Sequence, residues 1–187
     1  CVARARARAL RRTIRDPLSV APPRLRRCAQ ELNLSHNRVR TASAASAHRK
    51  LRTLDLSHNA PESLDGLGTL ECLAELCVES NGLRSVGGLD GAPLLATVRA
   101  AHNAIERLDG LPALAHLTAL DVSDNLLSSL AGLHGCSGLM DLHAGRNAVA
   151  NSNEMRHVAH LALLRTLDLS DNPVVHCGSE AVPYRVH

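Results

Sequence analysis

The stretch LTALDVSDNLLSSLAGLHG at residues 117–135 places leucine or valine at Leu117, Leu120, Val122, Leu127, Leu130 and Leu133. The steps between them are 3, 2, 5, 3 and 3. That spacing fits neither the 3.6-residue period of a helix nor the two-residue period of a strand. The rhythm recurs along the chain. Aligned on the asparagine, it returns at Asn37, Asn59, Asn81, Asn103, Asn125, Asn147 and Asn172, at five intervals of 22 residues and a last one of 25. Before each asparagine stands a block of the form L-x-x-L-x-L-x-x-N. Examples are LRTLDLSHN at 51–59, LAELCVESN at 73–81, LATVRAAHN at 95–103, LMDLHAGRN at 139–147 and LRTLDLSDN at 164–172, with a weaker first copy AQELNLSHN at 29–37.

A fixed period between 20 and 29 residues with this block is the signature of leucine-rich repeats. Each position has a physical reason. Leu120 and Val122 sit two apart on a short strand, so both point to the same side of it. Successive copies pair as a parallel sheet and bury these residues as columns. The asparagine amide both donates and accepts, so a stacked row of them can satisfy backbone groups at each turn. The apolar positions at +2, +5, +8 and +11 (Leu127, Leu130, Leu133 and Cys136) step in threes, which suits a 3₁₀ or extended return segment. No unit buries its face alone, so the stack is the fold. The expectation is an α/β repeat: a right-handed solenoid of about seven repeats, with parallel strands on the concave face and an irregular, 3₁₀ or short helical convex side.

Three parts are expected: a basic N-terminal cap or arm at 1–28, the array at 29–172, and the start of a C-terminal cap at 173–187. Residues 1–50 carry thirteen Arg/Lys against Asp16 and Glu31, and the remainder carries a net −8. The basic head admits three readings: a cap on the open end of the core, an arm reaching an acidic surface such as RNA or tubulin, or an Arg-rich targeting segment. The chain runs from Cys1 to a PYRVH end and is expected to be a piece of a longer protein. In the segment 41–50, TASAASAHRK, leucine is missing where later repeats have it, so this unit is expected to be degenerate. Around 149–161, Met155, Val158, Leu161 and Leu164 follow a helix-compatible spacing, and a helical turn on the convex face is expected there.

Composition narrows the function. No run of 18 apolar residues exists, so no helical membrane span is expected. The six cysteines form no C-x-x-C pair, and Cys136 falls in a core slot; this usage reads as reduced thiols of an intracellular, cytoplasmic protein. With no Phe, no Trp and one Tyr, there is no aromatic platform for bases, which argues against nucleic acid as the main partner. No phosphate-binding Gly-rich loop, G-x-S-x-G or H-E-x-x-H is present, so no enzyme activity and no cofactor is expected. His36, His58 and His102 each precede a ladder asparagine, and two or three of them are expected near one edge. Ser80 interrupts that row, so solvated loop histidines are expected rather than a metal site. His157 and His160 get the same reading.

The pattern resembles one subclass of leucine-rich repeat, the 22-residue class named after the regulatory repeat subunit of protein phosphatase 1. Its Gly-Leu pair at +7 and +8 stands here at 66–67, 88–89, 110–111 and 132–133. The closing LRTLDLSDNPV…YR at 164–185, with Pro173 and Tyr184-Arg185, resembles the cap that often ends such arrays. The resemblance implies an intracellular binding scaffold, with cilium, flagellum or another microtubule assembly as the first setting. Its implied partners are tubulin, dynein or axonemal proteins. The second reading is a subunit that binds a phosphatase 1 catalytic subunit; the third is a repeat domain of a larger enzyme or signalling protein.

In such a solenoid the strand residues between the leucines face outward on the concave side. The candidates for partner binding there are Asp55, Glu75, Cys77, Glu79, Arg99, Asp121, Asp141, His143, Arg146 and Asp168. Of these, Asp55, Asp121 and Asp168 also read as ordinary repeat consensus that keeps the surface wet. The departures from consensus cluster in the middle strands as a mainly acidic face with Arg99 and a His143/Arg146 pair as cationic points. A basic or mixed-charge protein segment is the complement expected.

Overall fold

The computed structural model describes residues 5–6, 30–89, 91–108, 111 and 114–176. Strands β2 (Glu31–Asn33), β3 (Thr53–Asp55), β4 (Glu75–Cys77), β5 (Thr97–Arg99), β6 (Ala119–Asp121), β7 (Asp141–His143) and β8 (Thr166–Asp168) fall one per repeat. They pair parallel, each with the next in chain order. A further two-residue strand, β1 (Ala5–Arg6), joins the edge by pairing Ala5 with Leu32 and Arg6 with Asn33. The count of asparagines predicts seven strands; the eighth comes from the basic head, which has no repeat signature. The rest of 1–28 lies outside the described residues, as do 177–187 of the expected C-terminal cap.

The core is one column stack. In the repeat of the opening stretch, Leu120, Val122, Leu127, Leu130, Leu133 and Cys136 are all fully buried, and each Leu side chain so buried contributes about 1.5–3 kcal/mol of transfer free energy. The return segments are short. The 3₁₀ turns Leu67–Thr69 and Leu133–Gly135 each follow a glycine, Gly66 and Gly132, with φ of 89° and 102°. A Cβ on the equivalent Gly88 would stand 2.9 Å from the Asp65 nitrogen and the Leu64 carbonyl carbon of the repeat before. Glycine there lets adjacent repeats approach closely.

The leucine-poor segment keeps the frame after all. Counting from Asn37, the +5, +8 and +11 slots hold Ala42, Ala45 and His48, and all three are buried. Small alanines leave room for a longer 3₁₀ helix, Ala42–Ala47. The three extra residues of the last interval also become a 3₁₀ helix, Ser152–His157, whose start is capped by Asn151 Oδ1 accepting from the Asn153 amide. Val158 and Leu161 are buried behind it, while Met155 and Leu164 are partly buried against the core. From this helix Glu154 reaches back a full repeat, accepting from the Ser129 hydroxyl and, at 3.0 Å, from the Leu130 amide. The chain then turns through α1 (Pro173–His176), with Pro at its first position, where a missing N–H costs nothing.

Candidate functional site

The asparagines come first, because they fix where every strand residue stands. Asn125 Nδ2 donates to the carbonyls of Val122 and Ser123 in its own turn and to Ala100 in the preceding repeat, each at 3.0 Å. Its Oδ1 accepts from the Ile105 amide at 3.0 Å. Asn147 repeats the set with Ala144, Gly145, Val122 and the Leu127 amide. Asn59, Asn81, Asn103 and Asn172 likewise donate both within their own turn and to the repeat before. Asn37, at the first described repeat, bonds to Leu34 and Ser35 of its own turn.

This ladder holds the outward residues in register. One row pairs Glu31, Thr53, Glu75, Thr97, Ala119, Asp141 and Thr166 in order across the sheet; the second pairs Asn33, Asp55, Cys77, Arg99, Asp121, His143 and Asp168. Between them run the buried Leu32, Leu54, Leu76, Val98, Leu120 and Leu142, and at the far edge the partly buried Leu167. Neighbours within a row are about 4.8 Å apart. Glu79 lies on a third row, two residues before its asparagine.

The aspartates of the second row have a local task. Oδ1 of Asp55, Asp121 and Asp168 accepts from the amide two residues on, at Ser57, Ser123 and Ser170, at 2.9, 3.0 and 2.9 Å. Asn33 does the same for Ser35 at 2.9 Å. Each closes the turn out of its strand, which explains the LDLS consensus without any partner. The bond to Ser170 holds the Asp168 carboxyl below its ordinary value, with smaller help from His143 and Arg146.

In the middle of the face the consensus is lost. Half-buried Cys77 on β4 has its thiol pushed up by burial, an effect that Arg99 on β5 opposes by its charge and a side-chain hydrogen bond. Ala119 on β6 is the smallest side chain of its row. Thr97, Val98, Arg99, Ala119, Leu120, Asp121, Asp141 and His143 line a shallow hollow of about 340 Å³.

Arg146 stands elsewhere. Expected beside His143 as a cationic pair, it lies in the turn before Asn147 with φ 51°, and its guanidinium bonds both carboxylate oxygens of Asp124 one repeat back. That ion pair ties Arg146 to the turn edge, while its charge still acts on Asp168 of the outward row. That edge has its own order. His36, His58, Ser80, His102, Asp124, Arg146 and Asp171 all have φ between 51° and 56°, a left-handed conformation most open to Asn, Asp and His among non-glycine residues. The recurrent His-Asn and Asp-Asn pairs in the sequence were the signal for it. His36 and His58 stack with ring centres 4.1 Å apart, while His102 sits 3.6 Å from Asp124. Among the described residues no group of three or more His, Cys, Asp or Glu is placed to hold a metal ion, and no helix is long and apolar enough to cross a membrane.

A sequence profile described as "Leucine Rich repeat" matches residues 47–60. Comparison with curated proteins finds no match. Among solved structures, the chain is similar to an internalin, InlF, from Listeria monocytogenes, at 23% identity and a TM-score of 0.70, covering 77% of this chain and 42% of that one. Internalin C2 from the same organism aligns at 24% identity and a TM-score of 0.67, over 78% of this chain and 63% of that one. The protein in a TLR13–ssRNA13 complex aligns at 26% identity and a TM-score of 0.65, over 77% and 22%. The chain thus spans less than two thirds of each of these proteins. Stacked 22-residue units, one parallel sheet and an asparagine row give this chain the leucine-rich repeat solenoid fold.

Proposed function

We propose that this chain is a non-catalytic protein-binding scaffold whose concave face cradles a basic or mixed-charge segment of its partner. The observation that supports this reading is the register of the outward rows, in which Glu75, Cys77, Arg99, Asp141 and His143 stand on neighbouring strands from β4 to β7, with Glu79 just beyond the end of β4. Rigid repeats present such a surface preformed, so little ordering entropy opposes binding. The surplus of acids over Arg99 supports a basic or mixed-charge complement and opposes a phosphate backbone. Thiols at Cys72, Cys77 and Cys136, free among the described residues, support an intracellular setting. The 22-residue pattern, through the subclass it resembles, supports a cilium, flagellum or other microtubule assembly.

Proximity labelling in the protein's own cells tests this, run beside a variant carrying Glu75→Lys and Glu79→Lys. The expected result is enrichment of tubulin, dynein or axonemal proteins that the variant loses. Dominance of a phosphatase 1 catalytic subunit would replace that setting with the regulatory-subunit reading. A variant that keeps every neighbour would move binding away from the concave face.

A further inference from the structure

Among the ladder asparagines, only Asn81 is followed by glycine. In an Asn-Gly pair the following backbone nitrogen reaches the side-chain carbonyl carbon most easily, because no Cβ hinders it and the backbone turns freely. A Cβ on Gly82 would meet nothing within 4 Å, so the space around it is open. Its amide is also unengaged. Ala60, Ala104, Leu126 and Ala148 hold the same place in their repeats, and each donates a backbone hydrogen bond to the repeat before, at Val39, Leu83, Ile105 and Leu127. Among the described residues the Gly82 N–H has no acceptor.

The Asn81 side chain is held less evenly than the other rungs. Its Nδ2 donates to Val78 and Glu79 of its own turn at 2.8 and 3.2 Å. To Leu56 of the repeat before, the distance is 3.3 Å, where Asn59, Asn103, Asn125, Asn147 and Asn172 make the same bond at 2.9 or 3.0 Å. Its Oδ1 accepts from the Asn59 amide at 2.7 Å. These bonds are the brake on ring closure, because the nitrogen that must depart is the ladder's own donor.

We propose that Asn81 is a deamidation site, guarded while the ladder is closed and exposed when it opens, so that the chain records its own unfolding. Water is the only co-reactant. In the opened turn the Gly82 nitrogen loses its proton to solvent base and bonds to Cγ of Asn81. The Cγ–Nδ2 bond breaks, and Nδ2 leaves as ammonia. Water then opens the cyclic imide at either carbonyl, giving aspartate or isoaspartate, with nothing oxidised or reduced. The product cannot resume the rung. A carboxylate has no hydrogen to give the carbonyls of Leu56, Val78 and Glu79, and isoaspartate also adds a methylene to the main chain. A reversible opening thereby becomes a permanent one.

The test incubates the whole chain near neutral pH in stepped urea. Peptide mass spectrometry reads deamidation residue by residue, and hydrogen exchange reads the Asn59 amide, which reports the opening of this rung. The expected rate at Asn81 rises in proportion to Asn59 exchange, about tenfold for each 1.4 kcal/mol of opening free energy removed. Gly82→Ala, whose Cβ meets no neighbour, should fold as wild type and leave Asn81 unmodified over the same period. Once urea is removed, modified molecules should exchange the Asn59 amide faster than unmodified ones. A rate at Asn81 indifferent to urea, equal deamidation at Asn103 or Asn125, an equal rate in Gly82→Ala, or full recovery of Asn59 protection after modification would each overturn the proposal.

Discussion

The backbone amide of Asn59 donates to Oδ1 of Asn81 at 2.7 Å, whereas the other bonds from a backbone N–H to a ladder asparagine of the following repeat come from the residue two places after the earlier asparagine. Val39, Leu83, Ile105, Leu127 and Val149 supply those amides. The corresponding residue after Asn59 is Pro61, which has no N–H. The oxygen is still satisfied, by the nearest donor left. A buried acceptor left bare costs about 1–3 kcal/mol, so the ladder rewires locally when one rung lacks its usual donor.

Asn125 is buried and makes four such bonds. Asn125→Ala should therefore lower unfolding stability by about 3 kcal/mol, measured by urea denaturation. Asn125→Asp should cost more at neutral pH, because a carboxylate would face three carbonyl oxygens. Its folded pKa would then be raised above the unfolded value. The extra loss relative to wild type should shrink as pH falls toward about 4, where the acid takes a proton and can donate again. An Asp variant as stable as wild type at pH 7 would refute this account of the ladder.

Gly88 combines a φ of 91° with backbone 2.9 Å from where a Cβ would stand. Gly88→Ala should destabilise by about 2 kcal/mol. Gly82→Ala is the control: its Cβ would meet nothing within 4 Å, so its effect should stay within about 0.5 kcal/mol. Equal thermal shifts for the two variants would contradict the proposed close stacking at Gly88.

Glu154 accepts from Ser129 and from the Leu130 amide, and these bonds hold its carboxyl below its ordinary value, which is about 4.3 for a free glutamate. A carboxyl lowered in the folded state gives stability that is fully present above that ordinary value and is lost as pH falls through the folded one. The hydrogen-exchange protection factor of the Leu130 amide should therefore drop below about pH 4.3 while that of the Leu139 amide, bonded to the Cys136 carbonyl at 3.0 Å, changes little. In Glu154→Gln the amide oxygen can still accept from Leu130, and the acid-dependent loss should vanish. The same loss in both proteins would remove Glu154 as its cause.

Much of this fold was legible because a fixed count of 22 makes each repeat predict the next. Strand positions, buried columns and outward rows all follow from the asparagine. What escaped was local substitution within the frame. Ala42, Ala45 and His48 occupy counted slots, but a search for leucine passes over them. The ion pair of Arg146 with Asp124 one repeat back also escaped, because it depends on the left-handed turn before each asparagine. The hollow at Ala119 needed the register as well as the frame. A small residue is a gap only when its neighbours on both strands are known.

The asparagine ladder also sets a direction in time. In the bonds between repeats, each side chain completes the turn that came before it: Asn125 serves Ala100 and Ile105, and Asn147 serves Val122 and Leu127. During synthesis a unit therefore emerges from the ribosome with its turn still open. The chain closes it only when the next asparagine follows, 22 residues later or, for the last, 25, so each repeat is finished by its successor.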